Sequence, residues 1–301
     1  MAYKENYSNE EISEFRVARG DLVSAINGHD FGAALEIFKT TQDKWFDYRQ
    51  DGYVMSNMTI LHMTVSHVEL NEISSYLAQN SSLINQRTSD GSTALLYACK
   101  NQNKVIASLL ITNGAEVDTK NKDGDSPFIN ACIYSDMQEV ATMIFKIGAN
   151  PNDEKHEIPA LLYAYRNKNY DLCFLLLQKG ANPNGFDRQG KTLLMYAAHE
   201  RNFLFVKEFL KIGGIDINKK NSSQSMTALH IACYTDSIEI IILLLEHGAD
   251  FNAMSQDMRT PLSILVGNWH LDSLRIVLAK IKEMNLLHTV DANIIDAHII
   301  D

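Results

Sequence analysis

The chain has 301 residues, of which 46% are apolar, and a formal net charge of −10. This apolar content is enough for a large core, yet no uninterrupted apolar run approaches the roughly 18–20 residues that a membrane-spanning helix needs. The acidic balance argues against a nucleic-acid partner, because phosphate binding requires a basic face.

The first 58 residues are interpreted as an N-terminal cap. Their start, Met1-Ala2-Tyr3-Lys4-Glu5-Asn6, lacks the apolar segment of a secretory signal, so we expect a cytoplasmic protein. The pattern predicts a short amphipathic helix around residues 12–17 and then a degenerate helical hairpin across residues 21–38. Residues 40–58 are predicted to form a long loop with four aromatic side chains, Trp45, Phe46, Tyr48 and Tyr53.

A four-residue motif recurs from residue 59 onward at nearly constant spacing. Successive copies begin 34, 33, 33, 33, 35 and 33 residues apart. Such a period indicates tandem repeats, in which one helical hairpin cannot bury its own apolar face and must stack on its neighbours. The copies begin at Thr59, Thr93, Ser126, Pro159, Thr192, Thr227 and Thr260, and the sixth reads Thr227-Ala228-Leu229-His230.

The sixth copy shows how one repeat is built. Thr227 can cap a first helix by accepting a hydrogen bond from a free backbone N–H. The apolar residues 229, 232 and 233 then share one face of that helix. A second helix is predicted near residues 238–246, apolar nearly all round because two neighbours enclose it. Gly248 ends it in a left-handed conformation, and its predicted equivalents are Gly114, Gly148, Gly180 and Gly213.

A tight turn is predicted just before each motif. Gly91, Gly124 and Gly190 stand two residues before their motifs, where a left-handed residue is favoured. Glu157 occupies this position before Pro159. We therefore expect that turn to be displaced or mobile. A tolerated irregularity is the favoured interpretation, and a turn shaped for a ligand is the alternative.

The motif, the helix-ending glycine and the turn keep register across seven copies, and together they resemble the ankyrin repeat family over roughly residues 20–283. The resemblance implies an all-α repeat solenoid of about seven helix–turn–helix repeats, plus a degenerate N-terminal capping hairpin. It also implies that a β-hairpin finger precedes each first helix. The predicted organisation is a cap with a long first finger (1–58), ankyrin repeats (59–283) and a C-terminal cap or tail (284–301), the tail being either a cap over the last repeat or a docking motif.

No sequence pattern indicates a catalytic or metal site. The chain has no Walker-type loop, G-x-S-x-G, H-E-x-x-H or C-x-x-C, and no spacing gathers three metal ligands. We therefore expect no enzymatic activity, no metal and no cofactor. Free, buried thiols are expected for Cys99, Cys132, Cys173 and Cys233.

Two sets of polar residues have structural roles in similar repeats. The resemblance implies that His62 and His230 form hydrogen bonds between neighbouring loops. It likewise implies that an asparagine four residues after the helix-ending glycine stabilises the turn, with hydroxylation by an oxygenase as the alternative. The asparagines concerned are Asn152, Asn184, Asn218 and Asn252.

The resemblance also implies a concave binding face, formed by the fingers and the exposed side of each first helix. Tyrosines recur on or near this face, four, seven or eight residues after a motif begins. Tyrosine offers a large rigid surface and is enriched in binding hot spots, although packing between repeats is the alternative role. The candidate partner-binding residues are Tyr97, Tyr134, Tyr163, Arg166, Tyr196, Tyr234 and Trp269.

The favoured function is therefore a non-catalytic protein–protein interaction module, a scaffold or adaptor that binds a protein partner as a monomer. One alternative is a bacterial or parasite effector that acts on a host protein through the same surface. The other is an enzyme with a cryptic site in the divergent N-terminal segment, which is disfavoured because that segment has no plausible catalytic triad.

Overall fold

The structure is a computed structural model that describes residues 9–41, 59–80 and 84–290. It comprises two compact units, Met1–Lys155 and His156–Asp301. The aromatic residues predicted for the first finger and the last part of the tail, residues 291–301, lie outside the described residues. Among the described helices, none is both long and apolar enough to cross a membrane.

The first unit contains a helical hairpin, three helix pairs and one short strand. The capping hairpin is confirmed, but its first helix also includes the region predicted as a separate amphipathic helix. Leu22, Phe38 and Ile73 share one buried cluster, so the hairpin covers the first repeat. The elements are α1 (Asn9–Asn27), α2 (Phe31–Thr41), α3 (Ile60–Thr64), α4 (Asn71–Asn80), α5 (Ala94–Lys100), α6 (Lys104–Thr112), α7 (Pro127–Ile133), α8 (Gln138–Ile147) and β1 (Glu154–Lys155), with 3-10 turns at Val68–Leu70 and Ser135–Met137.

The second unit contains four helix pairs, which completes the seven predicted repeats. Each pair consists of a short first helix and a second helix packed against it. The elements are β2 (Ile158–Pro159), α9 (Ala160–Arg166), α10 (Tyr170–Gln178), α11 (Leu193–His199), α12 (Phe203–Phe209), α13 (Ala228–Tyr234), α14 (Ile238–Glu246), α15 (Pro261–Gly267) and α16 (Leu271–Glu283), with a 3-10 turn at Leu287–Thr289.

The first helices begin where the motif predicts. In six copies the motif's first residue accepts a hydrogen bond from the backbone N–H three residues on, as Ser126 Oγ does from Ile129 at 3.0 Å. Pro159 is the exception, because its side chain has no oxygen. The predicted face of α13 is also confirmed, since Leu229, Ala232 and Cys233 are at most 1% exposed. Full burial of a leucine side chain contributes about 1.5–3 kcal/mol.

Left-handed residues end the second helices, with one shift from the prediction. Gly114, Gly180 and Gly248 have φ between 86° and 89°. In the fifth repeat this conformation falls on Gly214 (φ 81°) and not on Gly213, so that prediction was wrong by one residue. The reason is that α12 ends at Phe209 and residues 210–214 form a longer turn.

The turn that lacks glycine has a left-handed backbone at two successive residues. His156 and Glu157 adopt φ of 52° and 68° between the short strands β1 and β2. A left-handed conformation costs a residue with a Cβ about 1–2 kcal/mol. Glu157 therefore adopts the unfavourable left-handed conformation that is expected where another residue replaces the turn glycine.

The repeats are joined by asparagine side chains that bond to the next repeat. Asn218 Nδ2 donates to the carbonyl of Gly248 at 3.2 Å, and Asn218 Oδ1 accepts from Asp250 N–H at 2.8 Å. Asn184 makes the same two bonds one repeat earlier, to Gly214 at 2.7 Å and Asp216 at 2.8 Å. The structural role expected for these two asparagines is confirmed.

The last repeat is joined in the same way to the first part of the tail. Asn252 Nδ2 donates to the carbonyl of Thr289 at 3.1 Å, and Val290 is 7% exposed. The tail therefore packs on the last repeat as far as residue 290.

Asn218→Ala removes both bonds to the next repeat and should lower the free energy of unfolding by about 1–2 kcal/mol. Chemical denaturation measures the loss. Gln178→Ala, at an exposed position of α10, is the control and should stay within about 0.5 kcal/mol of wild type. Equal stability of the two variants would show that the asparagine link adds nothing.

Candidate partner-binding surface

Both candidate tyrosines of the first unit are half-buried. Tyr97, on α5, packs edge-on against His62 with 5.8 Å between ring centroids. Burial raises the pKa of Tyr97, and the negative charge of Asp90 adds to the effect. Tyr134 follows the last residue of α7 in an extended conformation and leads into a 3-10 turn. Each of these side chains is therefore partly packed within the fold and partly exposed to solvent.

In the second unit, Tyr196 is fixed by its own finger. Its hydroxyl donates to Asp187 Oδ2 at 2.6 Å, while Oδ1 of the same carboxylate accepts from two N–H groups of the finger turn. Burial, followed by the bond to Asp187, raises the pKa of Tyr196 to about 12. The Arg166 guanidinium lies 6.0 Å from the centroid of the Tyr196 ring. Tyr163, on α9, is also half-buried, so α9 and α11 together present two tyrosines and an exposed arginine.

Tyr234 and Trp269 are the exposed aromatic candidates. Tyr234 is the last residue of α13 and is 62% exposed. Its counterpart in the next repeat, seven residues after the motif begins, is Gly267, which has no side chain to cover the ring. Trp269 is 81% exposed and lies in the turn after α15 with φ 63°. These rings are available to a partner without any rearrangement of the helices.

The fingers of the first unit hold two buried carboxylates that are paired with lysines. Lys155 Nζ lies 2.7 Å from Asp125 Oδ1, and Lys120 Nζ lies 2.5 Å from Asp153 Oδ1. Lys100 Nζ lies 3.7 Å from the second oxygen of Asp125. Both carboxyl side chains are at most 5% exposed. The positive charges of Lys120 and Lys155 are therefore balanced by carboxylates of the same unit.

The candidate set omitted three apolar side chains on the fingers of the second unit. Met258 is 73% exposed, Phe186 45% and Met254 43%. A signal for Met258 was present in the sequence, since it occupies the position two residues before the motif where Gly190 stands in the fifth repeat. Phe186 and Met254 have no such signal, because their exposure depends on how the fingers pack.

The motif histidines are structural. His230 Nδ1 accepts from the backbone N–H of Thr227 at 3.1 Å, which leaves Nε2–H to donate to the carbonyl of Arg259 at 3.1 Å in the next finger. Burial lowers the pKa of His230. His62 forms the same capping pair with Thr59, and burial lowers its pKa to about 4. Both rings are therefore neutral at pH 7, and the inter-loop bond expected of His230 is confirmed.

The four cysteines are free and buried, as expected. Burial raises the pKa of Cys99, Cys173 and Cys233, which disfavours the nucleophilic thiolate. In the part of the chain that the structure describes, no group of three or more His, Cys, Asp or Glu side chains is placed to hold a metal ion.

A family model described as ankyrin repeats (3 copies) matches five overlapping stretches of the chain, residues 24–121, 61–155, 128–221, 161–255 and 194–288. The chain is 30% identical over 165 residues to the B-cell lymphoma 3 protein homolog of Mus musculus, covering 52% of this chain and 37% of that protein. It is 25% identical over 170 residues to a putative ankyrin repeat protein of fowlpox virus, covering 54% of this chain and 49% of the relative. The chain thus spans less than half the length of either relative.

The crystal structure of the human ASB11 ankyrin repeat domain is similar in fold. The TM-score is 0.53 with 23% sequence identity, over 68% of this chain and 91% of that one.

Acidification should unfold the protein partly through His62. Its folded-state pKa of about 4 lies below the unfolded value of 6.5. The neutral ring's contribution is therefore complete above pH 6.5 and is lost as the pH falls towards 4. We expect this ring alone to cost about 2 kcal/mol of unfolding free energy between pH 7.5 and pH 5.

Urea unfolding at these two pH values tests the expectation with His62→Gln, since glutamine retains the capping pattern but does not titrate. The variant should lose about 2 kcal/mol less than wild type on acidification. His199→Gln, at an exposed position, is the control and should follow wild type. An unchanged pH dependence in His62→Gln would contradict the assignment.

Proposed function

Because the chain belongs to the ankyrin repeat family, we propose that it is a non-catalytic module that binds a protein partner in the cytoplasm through its first helices and fingers. Members of this family generally serve in protein–protein interaction, and they are typically not enzymes. The proposed contact residues are the candidates on the first-helix side of the repeats, a face that the family resemblance makes concave. They are Tyr97, Tyr134, Tyr163, Arg166, Tyr196, Tyr234 and Trp269.

The observation that favours this function is the exposure of Trp269. The same turn position, also left-handed, is held in other repeats by Gln102, Lys168 and Arg201, which are polar and exposed to solvent. The last repeat places an indole there with 81% of its surface exposed. Tryptophan and tyrosine are enriched among the residues that dominate binding energy, since each buries a large area at low entropic cost.

The ordered position of the Tyr196 side chain favours docking of a partner without rearrangement of this surface. The Tyr196 hydroxyl is bonded to Asp187, and its half-buried ring lies beside Arg166. A side chain that is already ordered loses little conformational entropy when a partner covers it. The proposed mechanism is therefore association with a preformed surface.

A pathogen effector acting through the same surface is the second candidate. It is favoured by the similarity to a fowlpox virus ankyrin repeat protein. The similarity to a mouse protein has a higher identity and points to no such role. The general interaction module therefore remains the main proposal.

Affinity capture from cell lysate tests the surface. Tyr234→Ala and Trp269→Ala should each reduce the amount of the specifically captured protein about thirtyfold, since truncation of a hot-spot aromatic costs about 2 kcal/mol or more. The melting temperature should change by no more than about 2 °C, because both side chains are exposed.

Leu204→Ala is the matched control. Leu204 is 74% exposed but lies on the second helix α12, away from the proposed surface. It should capture as much protein as wild type. Equal losses in Leu204→Ala, or losses that parallel a fall in melting temperature, would count against the proposed surface.

A further inference from the structure

The finger tips of the second unit form one continuous surface, here called the finger ribbon (residues 186–191, 219–226 and 254–259). Ser222 N–H donates to the carbonyl of Gln189 at 2.9 Å, and Gln256 N–H donates to that of Gln224 at 2.8 Å. The first contact is so close that a Cβ on Gly190 would lie 2.5 Å from the Ser222 nitrogen. Backbone bonds between the tips therefore fix the spacing of the side chains along the ribbon.

The ribbon is basic although the chain is acidic. It holds five basic residues, Arg188, Lys191, Lys219, Lys220 and Arg259, and two acidic ones, Asp187 and Asp257. Asp187 is buried and bonded to Tyr196, so Asp257 is the ribbon's exposed carboxylate. Among the described residues, no ion pair involves any of the five cations.

This differs from the fingers of the first unit, where lysines pair with Asp125 and Asp153. Cations that meet no carboxylate within the described part of the fold are available to carboxylates of a partner.

Several of the cations are held in position by weaker contacts. Lys219 Nζ lies 5.2 Å from the centroid of the Phe186 ring. Lys220 Nζ donates to the carbonyl of Met254 at 2.8 Å, and Arg188 Nε donates to that of His156 at 3.5 Å. An ammonium has three N–H donors and a guanidinium five, so each group retains donors for a further acceptor. Positive charge and apolar surface thus lie side by side.

Met258 supplies the most exposed apolar side chain of the ribbon. It is 73% exposed, and its φ of 57° is left-handed. Gly91, Gly124 and Gly190 occupy the same position in other fingers, where glycine adopts this conformation without strain. The methionine thus accepts an unfavourable backbone conformation with most of its side chain in solvent. Glu157 and Ser225 hold the same turn position with φ of 68° and 53°, so the exposed apolar side chain is what distinguishes Met258. Methionine is an adaptable contact residue.

We propose that the finger ribbon binds an acidic protein segment that carries bulky apolar side chains. Its carboxylates pair with Arg188, Lys219 and Arg259, while its apolar side chains cover Met258 and Phe186. The proposal rests on the function proposed above and adds the chemistry of the partner. A protein segment is favoured over a nucleic acid because the chain carries a net charge of −10 and the most exposed apolar side chain of the ribbon, Met258, has no ring on which a base could stack.

Defined probes test the proposal by fluorescence anisotropy with the full chain. The first is a labelled peptide of Glu and Ser with Leu or Phe at every third position. Its counterparts replace Glu by Lys, or Leu and Phe by Ser, and an oligo(dT) strand represents nucleic acid. The first peptide should bind at least about tenfold more tightly than every other probe, and more tightly still at low salt, because exposed charges are screened. Equal or tighter binding of any other probe overturns the proposal.

Met258→Gly separates binding from folding. It removes the apolar side chain and also the left-handed strain, so the melting temperature should stay the same or rise while affinity for the first peptide falls about tenfold. Gln102→Gly is the control, since Gln102 is also exposed and left-handed, with φ 58°, but lies outside the ribbon. It should bind like wild type. Unchanged affinity in Met258→Gly contradicts the proposed contact.

Lys219→Gln tests the charge. Its control is Lys207→Gln, because Lys207 lies over a phenylalanine ring in the same manner, 6.0 Å from Phe203, but on the second helix α12. Only Lys219→Gln should weaken peptide binding and reduce its salt dependence. If the peptide fails to bind while Tyr234→Ala still reduces capture from lysate as expected, the acidic partner is wrong and the proposed function stands. Failure of both experiments rejects the proposed function as well.

Discussion

In the second unit, side chains of one repeat bond to the backbone of the next one. Asn218 bonds to the carbonyl of Gly248 and to the N–H of Asp250, and His230 reaches the carbonyl of Arg259. These bonds matter because a single helix pair leaves apolar residues uncovered on both sides. Burial supplies most of the free energy of stacking, while the directed bonds define how far one repeat is displaced from the next.

Because the bonds end on backbone atoms, they place no requirement on the exposed side chains nearby. Glycine at position 190 and methionine at position 258 occupy the same turn with the same left-handed backbone. Likewise, Lys168 and Trp269 share the turn between the helices. The last repeat departs from the others at both places, each time with an exposed apolar side chain. The turns of the last repeat thus keep the backbone conformation of the other repeats but carry different exposed side chains, Met258 and Trp269. This is the pattern expected of a repeat that binds a partner.

Local interactions explain which features were predictable from the sequence. A capping threonine such as Thr227 bonds to a residue three positions away, so the motif predicts both the cap and the start of α13. The bond from Tyr196 to Asp187 and the pairing of Lys155 with Asp125 were not predicted, because each depends on how a finger packs. The shift from Gly213 to Gly214 depends on turn length, which is likewise not encoded in the motif.

The finger ribbon is basic, whereas lysines in the fingers of the first unit are paired with Asp125 and Asp153. This difference in charge bears on which partners the ribbon can bind. A chain with a net charge of −10 repels an acidic partner at long range. Screening at physiological salt limits this repulsion to about 8 Å, so the cations of the finger ribbon would dominate once a partner is close. If the ribbon binds as proposed, such an arrangement slows indiscriminate encounter and favours acidic segments that can also cover the ribbon's apolar side chains. The ribbon's charges would therefore contribute more to selectivity than to the rate of association.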